Sequence, residues 1–175
     1  MSNTLYFDLF NTTLGWMGAL GSEQGLRKLV FPKTSPEEVV KDLKANLVGA
    51  IASTEKFVDL RERLDLYFSG SLQKFEDPID LSGAPAFFLN AWEACKSIPV
   101  GEVRSYKWLA EKTGNGKAVR AVGLAMSRNP VPIIIPCHRV IGSNGRLHGY
   151  GGGLTMKQRL LEIEGVTPIQ SHLGL

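Results

Sequence analysis

The sequence predicts an α/β chain of the α+β kind: a small antiparallel sheet with helices, followed by a mostly helical second domain. Three observations carry that expectation. Short apolar or alternating runs crowd the N-terminal end, amphipathic helical patterns with capping residues come after them, and charge divides unevenly along the chain. At 175 residues, 43% hydrophobic and 21% charged, the chain is long enough for one large domain or two small ones with a real core.

Residues 5–10, 14–20 and 26–31 are short runs separated by Gly, Asn and Ser, which is the pattern of an antiparallel meander. Ser35, Pro36 and Glu38 supply an N-cap, a first-turn proline and a capping-box acid, so a helix is expected over 36–48. Phe57, Leu60, Leu64, Tyr67 and Phe68 keep a helical stripe that stops near Gly70. Residues 73–85, with three acids, Gly83 and two prolines, read as a linker, which sets the domains at 1–82 and 83–175.

In the second half Phe88, Ala91, Trp92 and Cys95 recur at helical spacing, which makes Cys95 a small apolar core residue. Ser105 can cap a short helix through Lys112. Residues 113–116 offer a tight turn, and 117–127 form a second helix with Val119, Val122 and Met126 inward. Two short helices around a glycine-containing turn are the layout of a helix-turn-helix, a layout that other helical hairpins share. The β-branched run 131–135, held between Pro130, Pro132 and Pro136, is expected to be a buried extended segment. Thr155 and Gln158 form a capping box for a last helix that ends at Gly165. The sequence has no internal repeat.

The net charge of +3 conceals a segregation: residues 1–100 carry 10 Lys/Arg against 13 Asp/Glu, and residues 101–175 carry 10 against 4. A basic half suits a partner covered in phosphates, because neutralising them releases counterions, although a solvated basic face would look the same. Two cysteines exclude a multi-bridge secreted scaffold, and no basic start followed by an apolar core and cleavage site opens the chain; the expected compartment is the cytoplasm. Uncharged stretches such as 9–22 fall short of the roughly 20 apolar residues of a membrane span.

The chemistry centres on Cys137, followed directly by His138 and Arg139, two groups able to favour a thiolate. The thiolate is the nucleophile, and at a pKa of about 8.5 a free cysteine is mostly protonated at neutral pH. Neighbouring side chains of an extended chain point opposite ways, so His138 needs a turn or a bridging water to reach the sulfur. Glu164 is a candidate to hold the imidazole in its useful tautomer. A core thiol beside a satisfied histidine would read the same way.

The run Pro136-Cys137-His138-Arg139-Val140, preceded by Asn129-Pro130-Val131-Pro132 and followed by Gly149-Tyr150-Gly151-Gly152-Gly153-Leu154, resembles the signature of the O6-alkylguanine-DNA alkyltransferases. Ser105-Tyr106, Leu109-Ala110, Arg120-Ala121-Val122-Gly123 and the closing Leu160-Leu161-Glu162 to Glu164-Gly165 stand in the family's order and spacing. The resemblance is strong from about Gly83 to Gly165. It implies a ribonuclease-H-like first domain and a winged-helix-like DNA-binding second domain. It also implies a monomer without cofactor that takes the alkyl group from O6-alkylguanine, less readily from O4-alkylthymine, in double-stranded DNA, once per molecule and after flipping the base out. In that reading Cys137 accepts the alkyl group, His138 is the base through a water, Glu164 orients it, Asn129 pins the turn presenting the cysteine, and Tyr106 gives a hydrogen bond or proton to guanine N3. The carbonyls of Cys137 and Val140 take the exocyclic amine, the Gly151 N–H reaches O6, and Tyr150 and Pro132 wall the pocket. Arg120 fills the vacated stack, with Asn115, Lys107 and Ser143 as phosphate or sugar contacts.

Four departures from the family pattern stand out. No Cys or His precedes Cys95, so the zinc site of some relatives is not expected; Gly116 stands where proline is common. Phe88 and Leu89 replace glutamines at the start of their helix, and Gly151, where Ser or Ala can occur, widens the pocket for larger alkyl groups. Three rivals are a non-enzymatic relative that binds alkylated DNA, a transcription regulator using only the helix-turn-helix, and a cysteine hydrolase. The first lacks the cysteine that this chain has, the second leaves Cys137, His138, Arg139 and Tyr106 unexplained, and the third needs no basic half.

Overall fold

A computed structural model describes residues 4–167. The chain divides into two compact units, Met1–Ser82 with Pro130–Ile134, and Gly83–Asn129 with Ile135–Leu175.

The first unit holds the expected meander, β1 (Tyr6–Thr12), β2 (Gly15–Ser22) and β3 (Gly25–Lys33), paired antiparallel in sequence. A fourth strand, β4 (Ile51–Ala52), lies parallel to β1 and gives the order β3-β2-β1-β4. Two residues are too few to show an alternation, so β4 left no sequence signal. Helix α1 (Pro36–Leu43) is capped as expected, the Ser35 hydroxyl accepting from the Glu38 N–H at 3.4 Å. The Glu38 carboxylate reaches one residue further back than a capping box requires, accepting from the Thr34 N–H at 3.0 Å and its hydroxyl at 2.8 Å. The helix stops at Leu43, short of residue 48, and tightens into a 3-10 turn, Lys44–Asn46. Val39 and Leu43 are buried with Leu20 and Val30, whereas none of 44–46 is buried, so packing ceases to hold the helix there. Helix α2 (Val58–Phe68) buries Leu60, Leu64, Tyr67 and Phe68, as the stripe required.

Two segments depart from expectation. Part of the linker is a docked strap: Leu26 donates to the Pro78 carbonyl at 2.8 Å and accepts from the Asp80 N–H at 2.9 Å, while the buried Asp80 carboxylate takes the Ser22 hydroxyl at 2.6 Å. The run 130–134 belongs to the first unit, where Leu29 donates to the Pro130 carbonyl at 2.8 Å. It is buried as predicted but not extended, turning at Ile133, whose φ of 75° is a left-handed conformation rare for a β-branched residue. Prolines at 130, 132 and 136 lack the N–H donors that a strand ladder needs, so the backbone turns instead.

The second unit is mostly helical. Helix α3 (Ala86–Lys96) buries Ala91, Trp92 and Cys95, and the Trp92 indole N–H donates to the Ala125 carbonyl at 2.8 Å. Helix α4 (Tyr106–Lys112) is capped by Ser105, which accepts from the Trp108 N–H at 3.0 Å. Helix α5 (Val119–Ser127) completes the helix-turn-helix and begins later than residue 117, because the Asn115 carboxamide accepts from the Lys117 N–H and its carbonyl from the Ala118 N–H, closing a turn. Val119 faces out at 37% exposure, contrary to expectation, and Ala125 joins Val122 and Met126 in the core. A parallel pair, β5 (Arg104–Ser105) and β6 (Val140–Ile141), brings the start of α4 beside the segment that follows Cys137.

Helix α6 (Leu154–Ile163) opens at Gly153 with no side-chain cap, so the expected Thr155–Gln158 box does not form; Thr155 already lies inside the first turn. Its other end closes in a Schellman arrangement, with Gly165 donating to Glu162 at 3.0 Å and Val166 to Leu161 at 2.9 Å. Gly165 sits at φ 77° with nothing within 4 Å of where a Cβ would lie, so its requirement is conformational alone. Gly165→Ala is therefore expected to lower unfolding free energy by about 1–2 kcal/mol in urea denaturation, and a neutral substitution would contradict this account.

Candidate active site

Cys137 is presented by two turns in series. Pro136, at φ −81° and ψ 59°, makes an inverse γ-turn closed by the Cys137 N–H and the Ile135 carbonyl at 2.8 Å. Cys137–Arg139 then form a 3-10 turn, which supplies the bend that an extended Cys-His pair would lack. The Asn129 carboxamide ties both down, donating to the Ile135 carbonyl at 2.8 Å and to Cys137 Sγ at 3.0 Å. The Tyr150 hydroxyl also favours the ionised form of the sulfur.

Behind the thiol lies a buried ionic network. The fully enclosed His138 places Nε2 2.9 Å from Glu164 Oε1, and Arg139 donates to the same carboxylate through Nη2 and Nε, each at 2.9 Å. The third face of the guanidinium donates to the Ile98 carbonyl at 2.6 Å. Arg139 thus clamps Glu164 instead of polarising the thiol, which corrects the expectation from adjacency. Burial pushes the Glu164 carboxyl up, but hydrogen bonds and charge from His138 and Arg139 outweigh it and hold the group at about 2. Burial lowers His138, against the carboxylate, so the imidazole is neutral at neutral pH and can accept a proton. Since Glu164 occupies Nε2, that proton enters at Nδ1. Cys137 is itself raised, burial exceeding the hydrogen bonds and the nearby ammonium of Lys157, so the resting group is a thiol.

Lys157 was missed by sequence reasoning. Its side chain is fully buried, and Nζ donates to the Val140 carbonyl at 2.6 Å, the His148 carbonyl at 3.3 Å and the Tyr106 hydroxyl at 3.5 Å. Nζ also lies 5.6 Å from the Tyr106 ring centroid and 5.7 Å from that of Tyr150. Burial brings the ammonium down to about 8, and burial raises the Tyr106 phenol to about 12. A signal existed: 157, 160, 161 and 164 form one stripe of α6, so Lys157 and Glu164 sit on its apolar face.

A cavity of about 680 Å³ in the second unit is lined by Tyr106, Arg120, Ser143, Tyr150 and Gly151, five of the predicted site residues, among others. Val140 is buried and is not a lining residue, its carbonyl accepting from Lys157 Nζ. Asn115 and Lys107 are exposed and do not line the cavity, Asn115 serving the turn before α5. Pro132, expected as a pocket wall, is buried in the segment that belongs to the first unit and is not a lining residue. A cleft of about 560 Å³ in the first unit is charged, but its Lys56–Glu23 and Arg63–Asp77 groups are paired with each other, at 3.0 and 2.6 Å. Among the described residues no cluster of three or more metal-ligating side chains occurs, and no helix is long and apolar enough to cross a membrane.

A hydrogen-bonded cysteine backed by a buried His-Glu-Arg network, on a unit with a helix-turn-helix, defines a protein built around a nucleophilic thiol. Residues 5–81 match the ribonuclease-like domain of 6-O-methylguanine DNA methyltransferase and residues 86–166 match its DNA-binding domain. The chain belongs to this family. It is 40% identical to a methylated-DNA–protein-cysteine methyltransferase of Methanosarcina acetivorans over 92% of this chain and 99% of the relative. To that of Mycobacterium leprae it is 47% identical, over 75% and 79%. Among solved structures, Mycobacterium tuberculosis OGT in complex with DNA superposes with a TM-score of 0.77 at 36% identity, covering 91% and 92%. The O6-methylguanine-DNA methyltransferase of Pyrococcus kodakaraensis gives 0.70 at 29%, covering 93% and 100%.

The Glu164 clamp sets a pH dependence. Its folded value, about 2, lies below the ordinary 4.5, so its contribution of about 3 kcal/mol is complete above pH 4.5 and is lost as pH falls towards 2. Denaturation at stepped pH should show this acid-side loss in the wild type. Glu164→Gln should flatten it while costing about 3–5 kcal/mol at neutral pH, because Arg139 stays buried without its counter-charge.

Proposed function

We propose that the chain repairs DNA by direct reversal, moving the alkyl group of an O6-alkylguanine irreversibly onto Cys137. The observation that carries this reading is the sulfur's setting: Asn129 at 3.0 Å on one side, and His138 locked to Glu164 at 2.9 Å behind it. The lesion's carbon is hidden in a stacked, paired base, so the nucleotide is rotated out into the cavity, at a cost of a few kcal/mol. Arg120, exposed on α5 at the cavity rim, takes the vacated place in the stack. Ser143 at the rim, with the exposed Lys107 and Asn115, contacts phosphate or sugar.

The transfer balances as follows. His138 takes the Cys137 proton, directly or through a water, and becomes an imidazolium stabilised by Glu164. Sulfur attacks the alkyl carbon, the carbon–O6 bond breaks, and its electron pair passes into the guanine ring. Tyr106 gives its proton to N3, so guanine leaves neutral; Lys157 Nζ, 3.5 Å from the phenol oxygen, stabilises the phenolate. The Gly151 N–H serves O6, and the carbonyls of Cys137 and Val140 take the exocyclic amine. Val140 can do so while bonded to Lys157, since a carbonyl has two lone pairs. Glycine at 151, without a hydroxyl or methyl, favours larger alkyl groups. The product is a thioether, which a thiolate cannot leave, so each molecule acts once. It acts as a cytoplasmic monomer with no cofactor.

Two measurements test this. Incubated with a duplex holding a single O6-methylguanine, the intact protein should gain one methyl group, mapped to Cys137, and stop at one equivalent; repair persisting in Cys137→Ser would sink the reading. Lys157→Met should slow alkylation at neutral pH by about tenfold or more, since a nearby cation that favours thiolate and phenolate is lost; equal single-turnover rates would remove Lys157 from the chemistry.

A further inference from the structure

His148 takes no part in the alkyl transfer above, yet its position is built. It lies in the loop between β6 and α6, where Gly142 donates to the Arg146 carbonyl at 2.9 Å, Gly145 to the Gly142 carbonyl at 2.9 Å, and Arg146 to the Asn144 side chain at 3.1 Å. Its carbonyl is held by Lys157 Nζ at 3.3 Å, the same ammonium that holds Val140. The ring stands edge-on to Tyr106, centroids 6.4 Å apart at 76°. Gly142 seats it: a Cβ there would collide with Nε2 of the imidazole. The residue is nevertheless exposed, so core packing does not account for this placement.

The cavity that His148 shares with Tyr106, Arg120 and Ser143 contains no Asp or Glu among its lining residues. Hydroxyl, guanidinium and imidazole donors without an acid suit an anion. Guanine brings no charge into this space; the anion its nucleotide does bring is the phosphodiester. We propose that the His148 imidazole donates to a phosphodiester flanking the extruded nucleotide, so that it holds the everted backbone while Tyr106 serves the base. This rests on the cavity being the base pocket.

The test compares wild type, His148→Ala and His148→Gln in single-turnover alkylation, followed by intact mass. Three substrates are used: a duplex with one O6-methylguanine, the same duplex with a methylphosphonate at the linkage on either side of the lesion in turn, and free O6-benzylguanine, which has no phosphate. Loss of one charge-assisted hydrogen bond should slow His148→Ala on the ordinary duplex by about tenfold. The ratio of wild type to variant should fall several-fold at one methylphosphonate position, and the loss on free base should be several-fold smaller than on DNA. His148→Gln, which keeps a donor, should recover part of the rate. An undiminished rate on DNA, a ratio indifferent to both methylphosphonates, or an equal loss on the free base would each overturn the assignment, the last by showing that the ring acts on the base. Wild type that took no alkyl group from any substrate would instead remove the repair reading beneath it.

Discussion

One buried carboxylate organises the catalytic half. Glu164 caps the C-terminal end of α6, where the helix's own carbonyls already concentrate negative charge, and it is almost wholly excluded from water. A carboxylate in that position is unstable unless donors surround it, and three nitrogen contacts at 2.9 Å from His138 and Arg139 do so. Because those donors flank Cys137 in sequence and Arg139 also reaches the Ile98 carbonyl, the end of α6, the cysteine turn and the segment after α3 are fixed at a single point. The imidazole is thereby fixed in orientation without being charged, which is the state a proton acceptor requires.

The thiol is protected by the same enclosure. Burial raises it and leaves it protonated, so the nucleophile forms when a proton acceptor and an electrophilic carbon are both at hand. Around it stand a cation bonded to the Tyr106 hydroxyl and the Val140 carbonyl, a neutral imidazole beside an anion, and the Asn129 carboxamide donating to sulfur. In the proposed transfer these groups are oriented before substrate arrives, so little reorganisation would be needed as charge moved from sulfur to the guanine ring.

Much of the fold could be read from local chemistry. Short apolar runs broken by Gly, Asn and Ser marked the meander, Ser35 and Ser105 cap the helices they precede, and the stripe from Phe57 to Phe68 is the buried face of α2 and the turn before it. Where tertiary contacts outrank local preference, reading failed: Gly153 rather than Thr155 opens α6, and prolines and a left-handed Ile133 turn the apolar run that looked like a strand. At the site, residue chemistry pointed to Cys137, His138 and Glu164 and the family resemblance added Asn129; the fold joins Asn129 to Cys137 and His138 to Glu164. Direction was not legible. Adjacency aimed Arg139 at the thiol, whereas the backbone turn aims it at Glu164, and Lys157 drew no reading although it falls on the buried stripe of α6.

The left-handed turn at Ile133 has a consequence for modularity. Residues 130–134 leave the second unit, pack with the first and return one residue before Pro136, so the chain is not two beads on a string. A fragment cut at the sequence boundary after Ser82 would carry Val131, Ile133 and Ile134 along without the partners that bury them. Exposed to water, that apolar pentapeptide would favour self-association of the fragment.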